Sequence, residues 1–117
     1  MPDDTADGRS MLLAWLDGGP PPERSVLRAA VKESLSALAR AAPGRSVEVR
    51  VPPFAAVQCI AGLQHGRGTP PNVVETDAQT WLGLAFGRLS WADATARGVL
   101  RASGTRTAEV AAHLPLA

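Results

Sequence analysis

Apolar residues recur at helical spacing over residues 23–42. Leu27, Val31, Leu35 and Leu38 lie three or four positions apart and build one face, while Arg24, Arg28, Lys32, Glu33 and Arg40 fall largely elsewhere on the wheel. Pro43 and Gly44 stop this helix. The period then drops to that of a strand. Val47, Val49 and Val51 alternate with Ser46, Glu48 and Arg50 across residues 45–51, the pattern of a half-buried β-strand. Pro52 and Pro53 break it, and residues 54–61 predict a second strand, antiparallel to the first across so short a connection. Residues 62–71, with three glycines and two prolines, predict a long loop, and residues 72–76 a third, short strand.

Thr76 and Gln79 then fit a capping box, with Asp77 adding negative charge to the first turn. The helix they open runs through Trp81, Leu82, Leu84, Ala85 and Phe86 to Gly87. Ser90, with Asp93 three positions on, starts another short helix that Gly98 ends. Residues 99–103 predict a further strand, Gly104 a turn, and residues 105–114 a last helix that Pro115 closes. At the other end, residues 1–8 are polar and expected to fray. Residues 9–17 predict a short, very apolar helix with Ser10 as its N-cap and Gly18 and Gly19 at its end, followed by the rigid spacer of Pro20, Pro21 and Pro22. Strands that need a helical layer on one face place the chain in the α+β class.

Composition narrows the function. The 117 residues make one domain, residues 23–117, preceded by the tail and apolar helix of residues 1–22. The net charge is +1, and eleven arginines and Lys32 are spread along the chain without forming the basic patch a nucleic-acid binder carries. A single cysteine, Cys59, allows no internal disulfide, and the absence of any CxxC or Cys/His cluster argues against zinc. The opening MPDDTADGRS is too acidic and polar for a secretory signal, and no apolar run approaches the roughly 18 residues that span a bilayer. The expectation is a soluble, cytoplasmic protein without metal or cofactor.

The stretch from Val74 to Leu116 carries a recognisable pattern. It reads VETDAQTWLGLAFGRLSWADATARGVLRASG and then a segment ending HLPL, with Gly87, Gly98 and Gly104 each following an element end. This resembles the C-terminal half of sterol carrier protein domains: a capped helix ending in glycine, a short helix, glycine, a strand, glycine and a closing helix. The upstream RSVEVRVPPFAAVQCI is similar to the stand-alone bacterial branch of that family. The resemblance extends over residues 23–117. It implies a sheet of about five strands, largely antiparallel, covered on one face by helices, and in many members an apolar tunnel between the layers. It implies binding or transfer of a sterol, fatty acid or acyl-CoA-like ligand without catalysis. Some members are accessory domains of enzymes, and the C-terminal domain of mycothiol-dependent maleylpyruvate isomerase looks similar. The peroxisomal tripeptide of some eukaryotic members is absent, since the chain ends LPLA.

The candidate tunnel lining follows from the apolar faces: Leu35 and Leu38 on the long helix, Val49, Val57 and Ile60 on the first two strands, and Trp81, Leu82, Ala85 and Phe86 on the capped helix. Ordinary core packing explains the same stripes, and both hold at once where a tunnel is cut into the core. In the loop, Arg67 is the candidate for a carboxylate or phosphate headgroup at a tunnel mouth, and His65 beside it is an alternative base or anion contact. A mobile surface loop accounts for both. Cys59 reads as a buried, inert thiol, and His113 as a helix-end histidine. Glu75 and Asp77 flank a cap, which explains them without chemistry. No nucleophile or acid–base constellation assembles, so no catalytic residue is expected. The apolar segment around Trp15 either packs on the domain as an extra layer or docks a protein partner. If side chains fill the core, the alternative function is that of a protein-interaction or accessory module without a lipid.

Overall fold

The computed structural model describes residues 4–62 and 72–116. Two helices come first, α1 (Asp4–Leu16) and α2 (Arg24–Ala41), followed by strands β1 (Val47–Val51), β2 (Ala55–Cys59) and β3 (Asn72–Thr76). Two short helices, α3 (Ala78–Ala85) and α4 (Trp91–Ala96), lead to β4 (Leu100–Ser103) and a closing 3₁₀ helix, Thr107–His113.

The α+β class stands, but the sheet is four-stranded and mixed, in the order β2-β1-β3-β4. β1 pairs antiparallel with β2, and β3 with β4, whereas β1 and β3 run parallel with Val49 opposite Val74. The expectation of a largely antiparallel sheet of about five strands is therefore corrected. The physical reason lies in the route of the chain. β2 folds back along one side of β1, and β3 then enters on its other side, at the end where β1 began, with Val47 opposite Asn72. It thus runs in the same direction as β1, and residue alternation carries no information about that choice of side. No fifth strand is found among the described residues.

Register puts Val47, Val49, Val51, Cys59, Val74 and Leu100 on one face, all buried. α2 packs across β2 and α3 over this face. Val31, Leu35 and Leu38 from α2 and Trp81, Leu82, Leu84 and Ala85 from α3 complete the core. Burial of this apolar surface, at roughly 25 cal/mol per Å², is what holds the two layers together. The opposite face carries Glu48, Arg50, Gln58, Glu75 and Arg101, with Arg50 paired to Glu48.

Three terminations differ from the sequence reading. α1 extends to Asp4, so Ser10 lies inside it and is no N-cap. The cap of α3 is Asp77, whose carboxylate accepts from the Thr80 backbone N at 2.8 Å and from Thr80 Oγ1 at 3.1 Å. Thr76 is unavailable for capping because its hydroxyl donates to the Val99 carbonyl at 2.7 Å, tying β3 to the approach of β4. The last helix is 3₁₀ and starts at Thr107, because Arg106 is held in place. Its backbone N donates to Asn72 Oδ1 at 3.0 Å, and its guanidinium clasps both Glu109 oxygens and the Ala61 carbonyl. Hydrogen bonding to Arg106 holds the Glu109 carboxyl below its ordinary pKa. Ser90 caps α4 as expected, accepting from Asp93 N at 3.1 Å.

The chain leaving α2 meets the end of β2 at close quarters. Ile60 N donates to the Ala42 carbonyl at 2.8 Å, and Ser46 N donates to the Ile60 carbonyl at 3.1 Å. Between them Gly44 has φ 149°, and a Cβ there would fall on the Ile60 carbonyl. Ile60 itself sits at φ 69°, an uncommon conformation for a β-branched residue.

Candidate functional site

An apolar cleft of about 590 Å³ lies between α1 and α2 at the end of α3. α1 supplies Gly8, Arg9 and Leu12. α2 supplies two adjacent ridges, Ser25, Ala29, Glu33 and Ala37, and Val26, Ala30 and Ser34, each stepping by four residues along one side of the helix. Five of these seven are Ala or Ser, and their small side chains leave the volume open. Phe86 and Leu116 form the remaining wall. Leu116 reaches it because its backbone N donates to the Ala85 carbonyl at 2.9 Å, which folds the C-terminal segment back on α3. Phe86 is presented at the C-cap of α3, and Gly87, at φ 76°, turns the chain away behind it. The cleft opens to solvent on the side of Arg9, Ser25, Ala29 and Glu33, which are exposed.

The floor is anchored to the core by one polar contact. Trp81 Nε1 donates to Ser34 Oγ at 2.8 Å, and the same hydroxyl lies 2.7 Å from the Ala30 carbonyl it donates to. Both side chains are buried, and the bond links α3 to α2 directly beneath the opening. At the rim the Arg9 guanidinium lies over the Phe86 ring, 5.1 Å from its centroid, a cation–π contact between α1 and α3.

Of the nine residues predicted to line a tunnel, Phe86 is the one that lines this cleft. Leu35, Leu38, Val49, Ile60, Trp81, Leu82 and Ala85 are buried in the core between helices and sheet, and Val57 packs half-buried against it. Arg67 and His65 lie outside the described residues. Trp15 is half-buried against the core, so the α1 segment is in part an extra layer. Hydrophobic bulk does not mark the cleft residues, for a physical reason. Ala29, Ala30, Ser34 and Ala37 are small, and a search for a binding wall by bulk passes over them. The usable signal was the run of Ser and Ala at four-residue spacing beside the Leu stripe of α2.

Cys59 is fully buried, and desolvation pushes its pKa up to about 11 from 9.0. The folded state therefore holds the thiol proton after the unfolded state has released it. Stability carried by this group is intact below pH 9 and falls as pH rises toward about 11. We expect urea unfolding of the wild type to lose stability over that range, and Cys59→Ala to show a flatter profile. Equal slopes for the two proteins would contradict this assignment. A thiol reagent at pH 8 should label Cys59 only under denaturing conditions.

The architecture and the cleft together define a small α+β domain with an apolar recess on its helical side. The chain belongs to the bacterial sterol carrier protein (SCP) ortholog family, whose sequence profile matches residues 23–116. α1 lies ahead of the matched region. No curated protein matches the chain. Among the described residues no helix is long and apolar enough to cross a membrane, and no group of His, Cys, Asp and Glu is arranged to hold a metal ion.

Proposed function

We propose that the protein is a non-enzymatic binding or transfer domain for a hydrophobic ligand, held in the cleft between α1 and α2. The observation that carries this reading is the cleft itself, about 590 Å³ between α1 and α2. That volume falls in the range of roughly 300–1,000 Å³ typical of small-molecule sites. Leu12, Val26, Ala30, Phe86 and Leu116 supply the apolar lining expected of such a site. Membership of the sterol carrier family supports the same class of ligand. Binding would follow from removal of the ligand's apolar body from water, less the cost of ordering it. The deeper residues Leu35, Leu38, Trp81, Leu82 and Ala85 would shape the floor from behind rather than touch the ligand.

Native mass spectrometry of protein recovered from its own cells tests the reading. The expected result is a reproducible extra mass that organic extraction removes. Phe86→Asp, which places a charge in the lining, should reduce the fraction of protein carrying that mass by about tenfold while the melting transition stays cooperative. A clean apo mass, with no uptake of fatty acids, sterols or lysolipids, would rule the carrier function out. A second reading, an interaction or accessory module without lipid, is favoured by the closed packing of the core, where Leu35, Leu38, Val49, Leu82 and Ala85 have no exposed surface. It becomes the better account if the apo mass is clean.

A further inference from the structure

The cleft is apolar apart from a buried, fully bonded hydroxyl, the exposed Ser25 and two charges of opposite sign. Arg9 and Glu33 both line it. Among the described residues neither belongs to an ion pair; the pairs are Arg50–Glu48, Arg88–Asp17 and Arg106–Glu109. Neither has a charged neighbour three or four positions away on its own helix: Glu33 faces Ala29, Ala30, Ser36 and Ala37, and Arg9 is followed by Leu12 and Leu13 at those positions. Ser34 Oγ is occupied by Trp81 and the α2 backbone. Arg9 is further restrained by its position over the Phe86 ring. A guanidinium fixed on an aromatic face keeps its N–H edge free for an anion.

The size of the recess limits the apolar part of the ligand. At the roughly 30 Å³ that one water occupies in the liquid, 590 Å³ holds about 20 heavy atoms. That is enough for one acyl chain and the root of a headgroup. A simple carboxylate amphiphile would meet Arg9 and be repelled by Glu33. A neutral one would leave both charges to water and gain nothing from either. A headgroup carrying both signs answers both.

We infer that the cleft selects a single-chain zwitterionic amphiphile, with Arg9 receiving the anionic group and Glu33 the cationic group of one headgroup. This rests on the hydrophobic-ligand reading above and names its substrate class. Arg9 comes from α1, ahead of the region the family profile matches, and Glu33 from within it.

The test uses the delipidated full chain and three probes with the same palmitoyl chain, each below its micellar concentration: lysophosphatidylethanolamine, palmitate and monopalmitoylglycerol. The zwitterion should bind about tenfold more tightly than either of the others. Arg9→Gln should weaken zwitterion and palmitate binding about fivefold and leave the neutral probe unchanged. Glu33→Gln should weaken the zwitterion by a similar factor and strengthen palmitate, a reversal that a purely structural role for Glu33 would not produce. Equal binding of all three probes, or loss of the neutral probe in Arg9→Gln, would overturn headgroup selection while leaving hydrophobic binding in place. Palmitate binding tightest and unmoved by Glu33→Gln would overturn it in favour of a simple anion. Uptake of none of the probes would overturn both this inference and the reading it rests on.

Discussion

Trp81→Ala is expected to lower the unfolding free energy by about 3–5 kcal/mol, the ordinary loss for truncating a large buried aromatic. Trp81 is 1% exposed and reaches from α3 to Ser34 of α2, so its removal leaves a void that the two helices would have to close together. Its indole N–H is also the donor to Ser34 Oγ. Trp81→Phe keeps most of the ring in place and should lose less, about 1–2 kcal/mol. Ser34→Ala leaves the indole N–H buried without an acceptor and should lose about 1–3 kcal/mol. Combining Ser34→Ala with Trp81→Phe should lose less than the sum of the two, because one hydrogen bond is being removed twice. Denaturant midpoints at constant slope provide the measurement. A Trp81→Ala loss below 1 kcal/mol, or strict additivity in the pair, would show that this contact does not join the layers.

Gly44→Ala carries the second large expectation, a loss of about 3 kcal/mol or more. Two effects add. At φ 149° an alanine is strained whatever surrounds it, and its Cβ would land on the Ile60 carbonyl and the Ala61 backbone N. That backbone cannot step aside cheaply, since Ile60 bonds Ala42 through its N–H and Ser46 through its carbonyl. Gly18 is the natural comparison. It also has positive φ, at 107°, but a Cβ there would meet nothing within 4 Å. Gly18→Ala should therefore show only the conformational part, about 1–2 kcal/mol. If thermal melts find the two substitutions equivalent, the close approach of the α2 exit to the end of β2 is not a constraint on the fold.

Much of the fold was legible because burial imprints a period. The stripe Val31, Leu35 and Leu38 is fully buried, with Leu27 half-buried at its edge, and the alternation of Val47, Val49 and Val51 marks the inner sheet face. Glycines after element ends were legible as well: Gly87, Gly98 and Gly104 all have positive φ. Capping was read to within one position, and the displacement to Asp77 arose because Thr76 is engaged across the sheet with Val99. What the pattern could not carry was relation in space. The parallel pairing of β1 with β3 depends on the side of β1 at which the chain returns. Hydrophobic bulk likewise points to residues that fill the interior, such as Leu82 and Trp81. A recess is made by what is missing, here the small side chains of Ala29, Ala30 and Ala37. Phe86 connects the two descriptions, since it ends a core helix and faces the opening.

The position of α1 has a consequence for how such a protein can diversify. The walls of the recess come from two sources: a scaffold shared across the family, and a leading helix that the family profile does not include. Arg9 is exposed at the rim and can vary without disturbing the sheet register, the α3 cap or the clasp of Arg106 on Glu109, whereas Leu12 is buried in the core. On the proposed function, part of the wall that meets the ligand lies outside the matched region, so exposed positions of one short helix can alter it while α2 and the sheet stay as they are.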